Sequence, residues 1–589
     1  PRRRARARSA QAGDRPVSAR TTARRLIALL ALMMLGLSGI GVRLVLLQVK
    51  DAEALQALAA DQRVRGIELP APRGAIYDRS RKELAMSLPA RAIYADPQQV
   101  ENPTRTAATL AAMLDLPVGE LRTKLEQTNR FVYLARGVND MLAARIEDLD
   151  PPLKGIGFIE ESRRHYPAGA LAPQVVGFVG LDGEGLAGVE LEYQRELAGQ
   201  AGQMVQEQDP SGRWIPQAAR TATAPVPGAD LVLTIDRDLQ FAAQRALAAA
   251  VKRNGAKGGS VLVLDPSTGE ILALADYPMF DPNHYERVRP ELTRARTITD
   301  VFEPGSVNKV ITASAAIEEG LFPLTESWDV PDNYLVGGHV FSDSHGHPVQ
   351  RMTLADIIAF SSNIGTIMTA QRVTQPVLAS YLSRFGYGRR TGIRFPGEAP
   401  GIVPLQDEWW STGMGSIPIG QGVAVTPLQM ASVYATIANG GVWVEPSLVR
   451  GTLDAAGTLD PAVPPVTRRV IREDTAARVT EMLAYAVGVG TGTSAQIEDY
   501  WVAGKTGTAR KPLKDARGYS DKHVASFIGF LPASAPSLVI AAIIDEPATV
   551  YGGVAAAPLF QEVGRFALAH LRVPSARRPP LPAHTMPTE

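Results

Sequence analysis

A serine and a lysine three residues apart have the types and the spacing of a nucleophile and its base. Pro304-Gly305 forms a turn and an apolar helical pattern begins directly after it, so Ser306 lies at the start of a helix and Lys309 lies one turn in. Positions three apart share a helix face, which lets the lysine amine reach the serine hydroxyl. A serine hydroxyl needs such a base. Burial lets a lysine act as one because it disfavours the charged form of the amine.

Two further motifs follow this pair along the chain. Ser361-Ser362-Asn363 is an S-x-N at the end of an apolar segment, and Lys505-Thr506-Gly507-Thr508 follows a short strand-like run. The order S-x-x-K, S-x-N, K-T-G matches the motif set of penicillin-binding proteins and class A β-lactamases, which use the serine as nucleophile. An S-x-x-K alone is more often a helix cap and a solvated charge, so the prediction of an active site depends on all three motifs.

Length and composition bound the class of protein. The 589 residues exceed what one core holds, so two or more domains are expected. Apolar residues make up 45% and charged residues 21%, which is typical of globular protein. The net charge of +1 argues against nucleic-acid binding. Cysteine is absent, which excludes a disulfide framework, a cysteine–zinc site and a thiol nucleophile.

The first fifty residues predict a membrane anchor. Residues 1–25 hold nine arginines and one aspartate, and the mostly apolar stretch 26–49 is long enough to cross a bilayer. A cleaved signal peptide is the alternative, but the apolar run is long and no A-x-A site follows it. We therefore predict an uncleaved single-pass anchor with a cytoplasmic arginine-rich tail, which places everything after about residue 50 outside.

Between the anchor and the catalytic motifs, sequence patterns predict mixed structure. They indicate an amphipathic helix at 50–64, a hairpin at 70–85, a helical region at 104–150 and a linker at a domain boundary at 218–228. Arg73, Asp78 and Arg79 lie in the hairpin. We interpret them as a structural ion network, because charge clusters without a nearby nucleophile are usually structural.

The rest of the chain predicts strands at both ends of a domain and helices between them. Expected strands are 231–236, 260–265, 270–275, 524–531 and 538–544, and expected helices are 239–251, 353–385 and 426–439. This order predicts one mixed sheet flanked by helices. The Pro- and Arg-rich residues 574–589 are expected to be disordered.

Three histidines close together raise the question of a metal. His339, His345 and His347 lie in a Gly/Ser/Asp-rich loop, and imidazoles bind zinc. Loop histidines are common, however, and the sequence has no H-E-x-x-H helix. We predict no metal site and no cofactor.

From the anchor to about residue 570 the chain resembles a class B penicillin-binding protein. The motifs that carry the resemblance are Arg73-Gly74-x-Ile76-x-Asp78-Arg79, Gly188-x-Glu190, Thr268-Gly269-Glu270-Ile271, Glu303-Pro304-Gly305-Ser306, Ser361-x-Asn363, Gln421-Gly422, Thr426-Pro427-Leu428-Gln429, Ala438-Asn439-Gly440-Gly441 and Gly504-Lys505-Thr506-Gly507-Thr508. The chain departs from the family at Val307-Asn308, where Thr-Phe is frequent and no catalytic role is known.

Three motifs resemble the division-specific FtsI type within this family. They are Arg163-x-x-Tyr166-Pro167, Ser526-Phe527-x-Gly529-Phe530 and Tyr551-Gly552-Gly553 with Ala557-Pro558. The elongation-specific paralogue remains the close alternative. No glycosyltransferase domain is evident before the catalytic part, which argues against a bifunctional class A enzyme.

The resemblance implies a multidomain α+β fold. It consists of a single transmembrane helix, an elongated N-terminal pedestal or dimerisation-like domain, and a penicillin-binding transpeptidase domain with a central antiparallel sheet flanked by helices. The expected segments are a cytoplasmic tail at 1–25, the membrane anchor at 26–49, the pedestal at 50–225, the transpeptidase domain at 226–573 and a disordered tail at 574–589.

The resemblance also implies acyl transfer. Ser306 would attack the D-Ala–D-Ala carbonyl of a peptidoglycan stem peptide and release D-Ala, and an amine of a neighbouring strand would then resolve the acyl-enzyme into a 4→3 type cross-link. Lys309 would be the base, although the base in this motif group is disputed. Ser361 would relay a proton to the leaving amine, and Asn363 would hold a substrate amide.

The K-T-G motif would bind the substrate. Lys505 would add positive charge near Ser361 and the substrate carboxylate, which the hydroxyls of Thr506 and Thr508 would bind, with Gly507 between them in the substrate-binding motif. The N–H groups of Ser306 and Thr508 would form the oxyanion hole. β-Lactams would mimic the acyl donor and form a stable ester at the serine.

The implied partners are stem peptides, β-lactam antibiotics, an FtsW-like membrane glycan polymerase and other division proteins. A β-lactamase would need an efficient way to activate the deacylating water and is usually smaller. A β-lactam sensor would carry a larger cytoplasmic portion. A silent scaffold of the division machinery is disfavoured because every catalytic side chain is present.

Overall fold

The computed structural model describes residues 19–50, 64–207, 221–323, 325–454, 456–513 and 518–575. The chain divides into two units, residues 1–69 with 201–225 and residues 70–200 with 226–589. The predicted arginine-rich tail over its first 18 residues, most of the predicted helix 50–64, and residues 576–589 of the predicted disordered tail lie outside the described residues.

The first unit contains the predicted anchor. An α-helix spans Ala19–Val45 and continues as a π-helical turn, Leu46–Lys50. Within the described residues, Thr22–Lys50 is the one helical stretch long and apolar enough to span a membrane. Its large apolar side chains are exposed, as expected for a helix whose solvent is lipid.

The same unit holds a three-stranded antiparallel sheet. Gly202–Glu207 is the central strand and pairs with Val64–Leu69 on one side and with Thr221–Thr223 on the other. The third strand lies inside the predicted linker 218–228, whose first three residues are outside the described part of the chain.

The second unit begins with a seven-stranded sheet. The path of paired strands is Leu459–Pro461, Val449–Leu453, Asp230–Leu233, Ile76–Tyr77, Glu83–Ala95 and Val132–Asn139, and Ile156–His165 also pairs with Glu83–Ala95. Ile76–Tyr77 and Glu83–Ala95 are antiparallel, which confirms the predicted hairpin. Strands from residues 76–165 and from residues 230–461 therefore share one sheet.

Helices cover part of this sheet. Pro103–Leu114, Val118–Leu125 and Asp140–Glu147 share an apolar core with the strands, and three short helices follow at Pro173–Val176, Gly188–Glu192 and Gln194–Ala198. The prediction of helical structure throughout 104–150 is wrong at Val132–Asn139, which is a strand. It buries Leu134 and Val138 and pairs with Glu83–Ala95. Pairing with a distant strand overrode the local pattern there.

The ion network predicted around the hairpin is confirmed as structural. Arg73 Nε donates to Glu190 Oε2 at 2.6 Å, and Arg164 Nε donates to Glu190 Oε1 at 2.6 Å. Arg79 pairs with Glu270 at 3.2 Å, and Asp78 accepts hydrogen bonds from backbone N–H groups of its own turn. Glu190 is fully buried between two cations, so it ties three distant segments together.

A five-stranded antiparallel sheet, here the central sheet, organises the rest of the unit. Its order is Ile271–Tyr277, Gly258–Leu264, Leu538–Asp545, Tyr519–Leu531 and Ala503–Pro512. Alternate residues point to opposite faces of a strand. Leu262 and Leu264 accordingly enter one core, and Val261 and Val263 enter the other. The sheet is buried on both faces, as the predicted flanking helices require.

Helices Arg237–Arg253 and Ala557–His570 share the core that contains Val261 and Val263. The predicted helical regions 353–385 and 426–439 are confirmed. The other α-helices are Arg296–Thr299, Lys309–Glu318, Leu354–Ala359, Asn363–Val373, Gln375–Arg384, Gly413–Ser416, Pro427–Ala438, Glu473–Gly488 and Gly552–Ala555. Three small hairpins pair Ser327–Val330 with Gln350–Thr353, Asn333–Val336 with His339–Ser342, and Val442–Val444 with Thr467–Arg469. Short 3-10 turns are Pro97–Gln99, Pro282–Arg287, Pro290–Leu292, Gly305–Asn308, Gln406–Glu408, Ile417–Ile419 and Thr493–Ala495.

Candidate active site

Ser306 lies in the 3-10 turn Gly305–Asn308, which leads directly into Lys309–Glu318, here the serine helix. The predicted helix start at Ser306 is therefore a tighter turn, and the α-helix begins at the lysine. Every residue of the serine helix from Lys309 to Ile317 is buried. The helix packs against Asn363–Val373, Gln375–Arg384 and Glu473–Gly488, so the serine leads into a rigid core element.

The turn before Ser306 is pressed against Ala503–Pro512, here the KTG strand. Gly305 has φ +58°, and a Cβ on it would lie 2.9 Å from the carbonyl oxygen of Thr508. A Cβ on Gly507 would lie 3.0 Å from the carbonyl oxygen of Pro304. Only glycine allows both approaches. The first and third motifs are thereby brought together through their backbones.

Asn308 anchors the turn that contains Ser306 through buried hydrogen bonds. The sequence had given this residue no role. It is fully buried, and its side-chain amide donates to the carbonyl oxygens of Ile417 at 2.9 Å and Pro418 at 3.4 Å. Its side-chain oxygen accepts from the Tyr387 hydroxyl at 2.7 Å. A buried amide with three hydrogen bonds is a positional constraint, so this departure from the family pattern has a structural reason.

The amine of Lys309 joins the first motif to the second. Lys309 is fully buried, and its Nζ donates to Ser361 O at 2.6 Å, to Asn363 Oδ1 at 2.8 Å and to Ser361 Oγ at 3.3 Å. Burial lowers the pKa of Lys309 to about 7, against an opposing effect of the Asp343 charge. A lysine with this pKa is partly neutral near neutrality and can accept a proton.

Among the hydrogen bonds of the described residues, none reaches the Ser306 hydroxyl, which is half-buried. Lys309 and Ser306 therefore do not form the hydrogen bond that their spacing suggested. The Lys309 amine instead donates to Ser361 and Asn363 of the second motif. Catalytic hydrogen bonds in free enzymes are often long and tighten only with substrate.

The second motif lies between two helices. Ser361 follows Leu354–Ala359 and has φ +63°, a left-handed conformation that costs a non-glycine residue energy and is most often retained at functional sites. Ser362 caps the helix Asn363–Val373 by accepting a hydrogen bond from the Gly365 N–H. Ser361 and Asn363 thereby flank a capped helix start, with both side chains directed at the lysine amine.

Asp343 holds this helix start from a neighbouring loop, and sequence reasoning missed it. One carboxylate oxygen accepts hydrogen bonds from the N–H groups of Asn363 and Ile364, and the other accepts from Ser362 Oγ at 2.8 Å. His347 Nε2 lies 3.0 Å from the same carboxylate. The carboxylate therefore positions the second motif and places a negative charge near Lys309.

The loop histidines are explained without a metal. Partial burial opposes protonation of His347, but its contacts with Asp343 and with the carbonyl oxygen of Pro348 raise its pKa. His345 stacks on Tyr551, with ring centroids 6.1 Å apart, and His339 packs edge-on against Phe341. Within the described chain, the one cluster of three potential ligand side chains with their ligand atoms within 4.8 Å of one another lies elsewhere, at Asp236, Asp238 and His570.

The third motif lies inside the KTG strand, which forms an edge of the central sheet. From the sequence we had expected a short strand that ended just before Lys505. Lys505 is fully buried, and its Nζ lies 3.3 Å from Thr506 O and 3.4 Å from Thr506 Oγ1. Burial, reinforced by the charge of Lys309, holds the pKa of Lys505 well below the usual range for lysine. Two buried amines therefore favour an anion at this site.

The hydroxyls of the K-T-G motif have fixed partners. Thr506 Oγ1 lies 2.7 Å from Thr491 Oγ1, and Thr508 Oγ1 accepts from the Gly552 N–H at 3.1 Å. A Cβ on Gly552 would lie 2.3 Å from the Gly507 carbonyl oxygen, so the Tyr551-Gly552-Gly553 motif packs directly on the KTG strand. This gives a structural reason for that motif.

Comparison with known proteins agrees with this geometry. The family model for the penicillin binding protein transpeptidase domain matches residues 259–564, and the model for the penicillin-binding protein dimerisation domain matches residues 68–233. A relative, penicillin-binding protein PbpB of Mycolicibacterium smegmatis, is 36% identical over 94% of this chain and 90% of its own. Peptidoglycan D,D-transpeptidase FtsI of Escherichia coli is 34% identical over 91% of this chain and 90% of its own.

Solved structures give the same result. The aztreonam complex of penicillin binding protein 3 from Mycobacterium tuberculosis is 32% identical, with a TM-score of 0.70, and covers 87% of this chain and 99% of its own. A serine motif, an S-x-N and a K-T-G strand assembled around buried lysines define a penicillin-recognising acyltransferase. The chain belongs to the class B penicillin-binding proteins, with a dimerisation domain and a serine-type transpeptidase domain.

Proposed function

We propose that the chain is a peptidoglycan D,D-transpeptidase of septal wall synthesis and that Ser306 is its acylated nucleophile. The observation that carries the proposal is the position of Lys309. Its amine is fully buried, has a lowered pKa, lies one helical turn beyond Ser306, and donates to Ser361 and Asn363. Such an amine suits proton transfer to and from a serine hydroxyl.

The chemistry runs through two acyl transfers. Lys309 takes the proton of Ser306 as the hydroxyl attacks the D-Ala–D-Ala carbonyl of a stem peptide, and Ser361 relays a proton to the leaving D-Ala. The N–H groups of Ser306 and Thr508 stabilise the oxyanion. An amine from a neighbouring strand then attacks the ester and regenerates the serine.

The remaining residues bind the donor. Asn363 orients a substrate amide. Lys505, buried and close to the Thr506 hydroxyl, supplies positive charge for the terminal carboxylate, and the hydroxyls of Thr506 and Thr508 bind it. Gly507 keeps this strand close to the serine turn. No metal or cofactor takes part in these steps.

We also propose domain limits and a membrane topology. The tail 1–25 lies in the cytoplasm, 26–49 crosses the membrane, 50–225 is the pedestal, 226–573 is the transpeptidase domain and 574–589 is a disordered tail. The arginine-rich tail supports this orientation. The protein acts at the septum with an FtsW-like glycan polymerase and other division proteins, as a relative named FtsI suggests.

The first test is labelling with a fluorescent penicillin. The wild-type chain becomes labelled and holds the label, and Ser306→Ala is not labelled. Ser314→Ala is the matched control, because Ser314 lies on the serine helix and its hydroxyl, among the described residues, donates only to the carbonyl oxygen of Val310. Labelling of Ser306→Ala, or absence of label on a folded wild type, contradicts the proposal. Rapid loss of label indicates a β-lactamase.

A depletion experiment separates the two wall-synthesis roles. Loss of the protein from its host blocks septation while growth along the side wall continues. Rescue requires the wild-type chain, and Ser306→Ala does not rescue. Rounding or loss of side-wall growth, with septa still forming, assigns the elongation role instead. Rescue by Ser306→Ala indicates a scaffold.

A further inference from the structure

A cavity of about 400 Å³ lies outside the active site, between the end of helix Gln375–Arg384 and the strand pair Val442–Val444 and Thr467–Arg469. We call it the arginine cavity, because five of its lining residues are arginines: Arg384, Arg389, Arg390, Arg468 and Arg469. None of the predicted site residues lines it. Its chemistry is therefore not explained by transpeptidation.

The ion pairs of the described residues show how these arginines are compensated. None of the ion pairs within 4.0 Å among the described residues includes one of the five. The side-chain hydrogen bonds of Arg384, Arg468 and Arg469 go to backbone carbonyl oxygens, which carry no net charge. The ion pairs of the described residues therefore leave these five positive charges without a carboxylate partner.

Four acidic residues lie near the cavity arginines in the chain. Asp474 pairs with Arg472 and Arg478. Glu473 is exposed and forms no ion pair among the described residues, although a Cβ on Gly440, whose carbonyl oxygen accepts from Arg469, would lie 3.6 Å from its Cγ. The other two are engaged elsewhere. Glu398 Oε1 accepts from both the N–H and the hydroxyl of Thr391, and Glu445 Oε2 accepts from the Val466 N–H at 3.1 Å. Neither forms an ion pair with an arginine of the cavity. The positive charge of the lining is left for a ligand to neutralise.

Aromatic rings pack against two of the five guanidinium groups. Arg468 lies over the ring of Trp443, its cross-strand neighbour, at 4.5 Å, and Arg384 lies over the ring of Tyr381 at 4.7 Å. Burial, followed by the charges of Arg389 and Arg384, lowers the pKa of Arg468. Like charges held together in a partly buried cavity repel each other, and an anion relieves that repulsion.

We propose that the arginine cavity binds a phosphate-bearing anion. Planar guanidinium groups bind phosphate oxygens in bidentate fashion, and arginine is the residue best suited to such recognition. Free diphosphate and the headgroup of an anionic phospholipid share this chemistry. The proposal is independent of the acyl-transfer reaction.

The test is a calorimetric titration with inorganic diphosphate. The full-length chain is held in neutral detergent at low salt. The test variant is Arg389→Gln with Arg390→Gln, because these side chains line the cavity, are exposed, and form no side-chain hydrogen bond with other described residues. The matched control is Arg145→Gln with Arg565→Gln, two exposed helical arginines outside the cavity.

We expect the wild type to bind diphosphate, the test variant to bind about tenfold more weakly or worse, and the control to stay within about twofold. Penicillin labelling stays normal in both variants, which shows that they are folded. Absence of diphosphate binding, or equal weakening in test and control variants, overturns the proposal. Binding of hexaglutamate in place of diphosphate also overturns it, because the surface would then recognise carboxylates.

A second arm identifies the source of the phosphate. The chain is placed in phosphatidylcholine bilayers with and without phosphatidylglycerol, and the diphosphate titration is repeated. A lipid headgroup in the cavity competes, so phosphatidylglycerol weakens diphosphate binding to the wild type and not to the test variant. Unchanged binding assigns the cavity to a soluble phosphate compound.

Discussion

At the scale of single residues, the site depends on two lysine amines that the fold keeps out of water. Lys309 and Lys505 are both fully buried, and the nearest acidic influence on Lys309 is Asp343, which is engaged with a helix start. A lysine whose charge is this poorly compensated loses its proton readily. Burial therefore makes the neutral form of Lys309 available near neutral pH, as the proposed proton transfer requires.

The titration of Lys309 predicts the pH dependence of acylation. Its pKa of about 7 means that the neutral base predominates only above that pH, so the rate of acylation by a chromogenic cephalosporin rises through pH 7 and levels off. Asp343→Asn removes a charge that raises this pKa, so its profile is displaced to lower pH. Stopped-flow rates between pH 5.5 and 9 provide the measurement, and coincident midpoints would contradict the assignment.

At the scale of elements, the catalytic turn and the KTG strand fit together because glycines stand where their backbones meet. Gly305 faces the Thr508 carbonyl, and Gly507 faces the Pro304 carbonyl and the Val307 side chain. The oxyanion hole proposed from Ser306 and Thr508 requires that these two elements keep a fixed separation. A single methyl group at this contact would force them apart.

Replacing Gly305 by alanine tests this contact. Gly305→Ala meets the Thr508 carbonyl oxygen at 2.9 Å and also strains a backbone at φ +58°. Gly320→Ala, just after the end of the serine helix, strains a backbone at φ +66° with nothing within 4 Å. Both cost about 1–2 kcal/mol of stability. We expect the acylation rate to fall about a hundredfold in Gly305→Ala alone. Equal rates in the two variants would mean that the contact has no catalytic importance.

At the scale of elements, too, sequence periodicity predicted most helices and strands. It did not predict the features that depend on contacts between distant parts of the chain. Four strands of the central sheet, its flanking helices and the three motifs were predicted from local pattern and order. The prediction of one mixed sheet was wrong for strand 231–236, because Asp230–Leu233 pairs with Val449–Leu453 and Ile76–Tyr77 in the seven-stranded sheet, and the KTG strand was not predicted as part of the central sheet. The strand Val132–Asn139 was not, because its pairing with Glu83–Ala95 is non-local. Asp343 and Asn308 carry no periodic signal, and only folding brings the first to Ser362 and the second to Tyr387.

At the scale of the whole molecule, the part matched by the dimerisation-domain model depends on one buried charge. Glu190 is in contact with Arg73, with Arg164 and with the Tyr166 hydroxyl, so residues from three segments meet at a single carboxylate. Removing one member of a buried ion network leaves the others uncompensated, which costs more than the network itself contributes.

We therefore expect Glu190→Gln to destabilise this region by about 3–5 kcal/mol. Thermal melting combined with limited proteolysis measures the loss, since residues 70–200 become sensitive to protease at a lower temperature. Glu101→Gln is the control, because the pair of Glu101 with Lys154 is exposed and should contribute nothing measurable. Equal melting of the two variants would contradict the structural role of Glu190.

The buried Lys309 also couples folding to proton binding. Between about pH 7 and pH 10 Lys309 is neutral when native and charged when unfolded, so the unfolded chain binds more protons. The free energy of unfolding then rises with pH, by about 1.4 kcal/mol per pH unit for this lysine. Denaturant titrations at pH 7 and pH 9 measure this slope, and we expect Lys309→Met to reduce it. The desolvation that keeps the Lys309 amine neutral thus also makes the fold weaker as the medium becomes acidic.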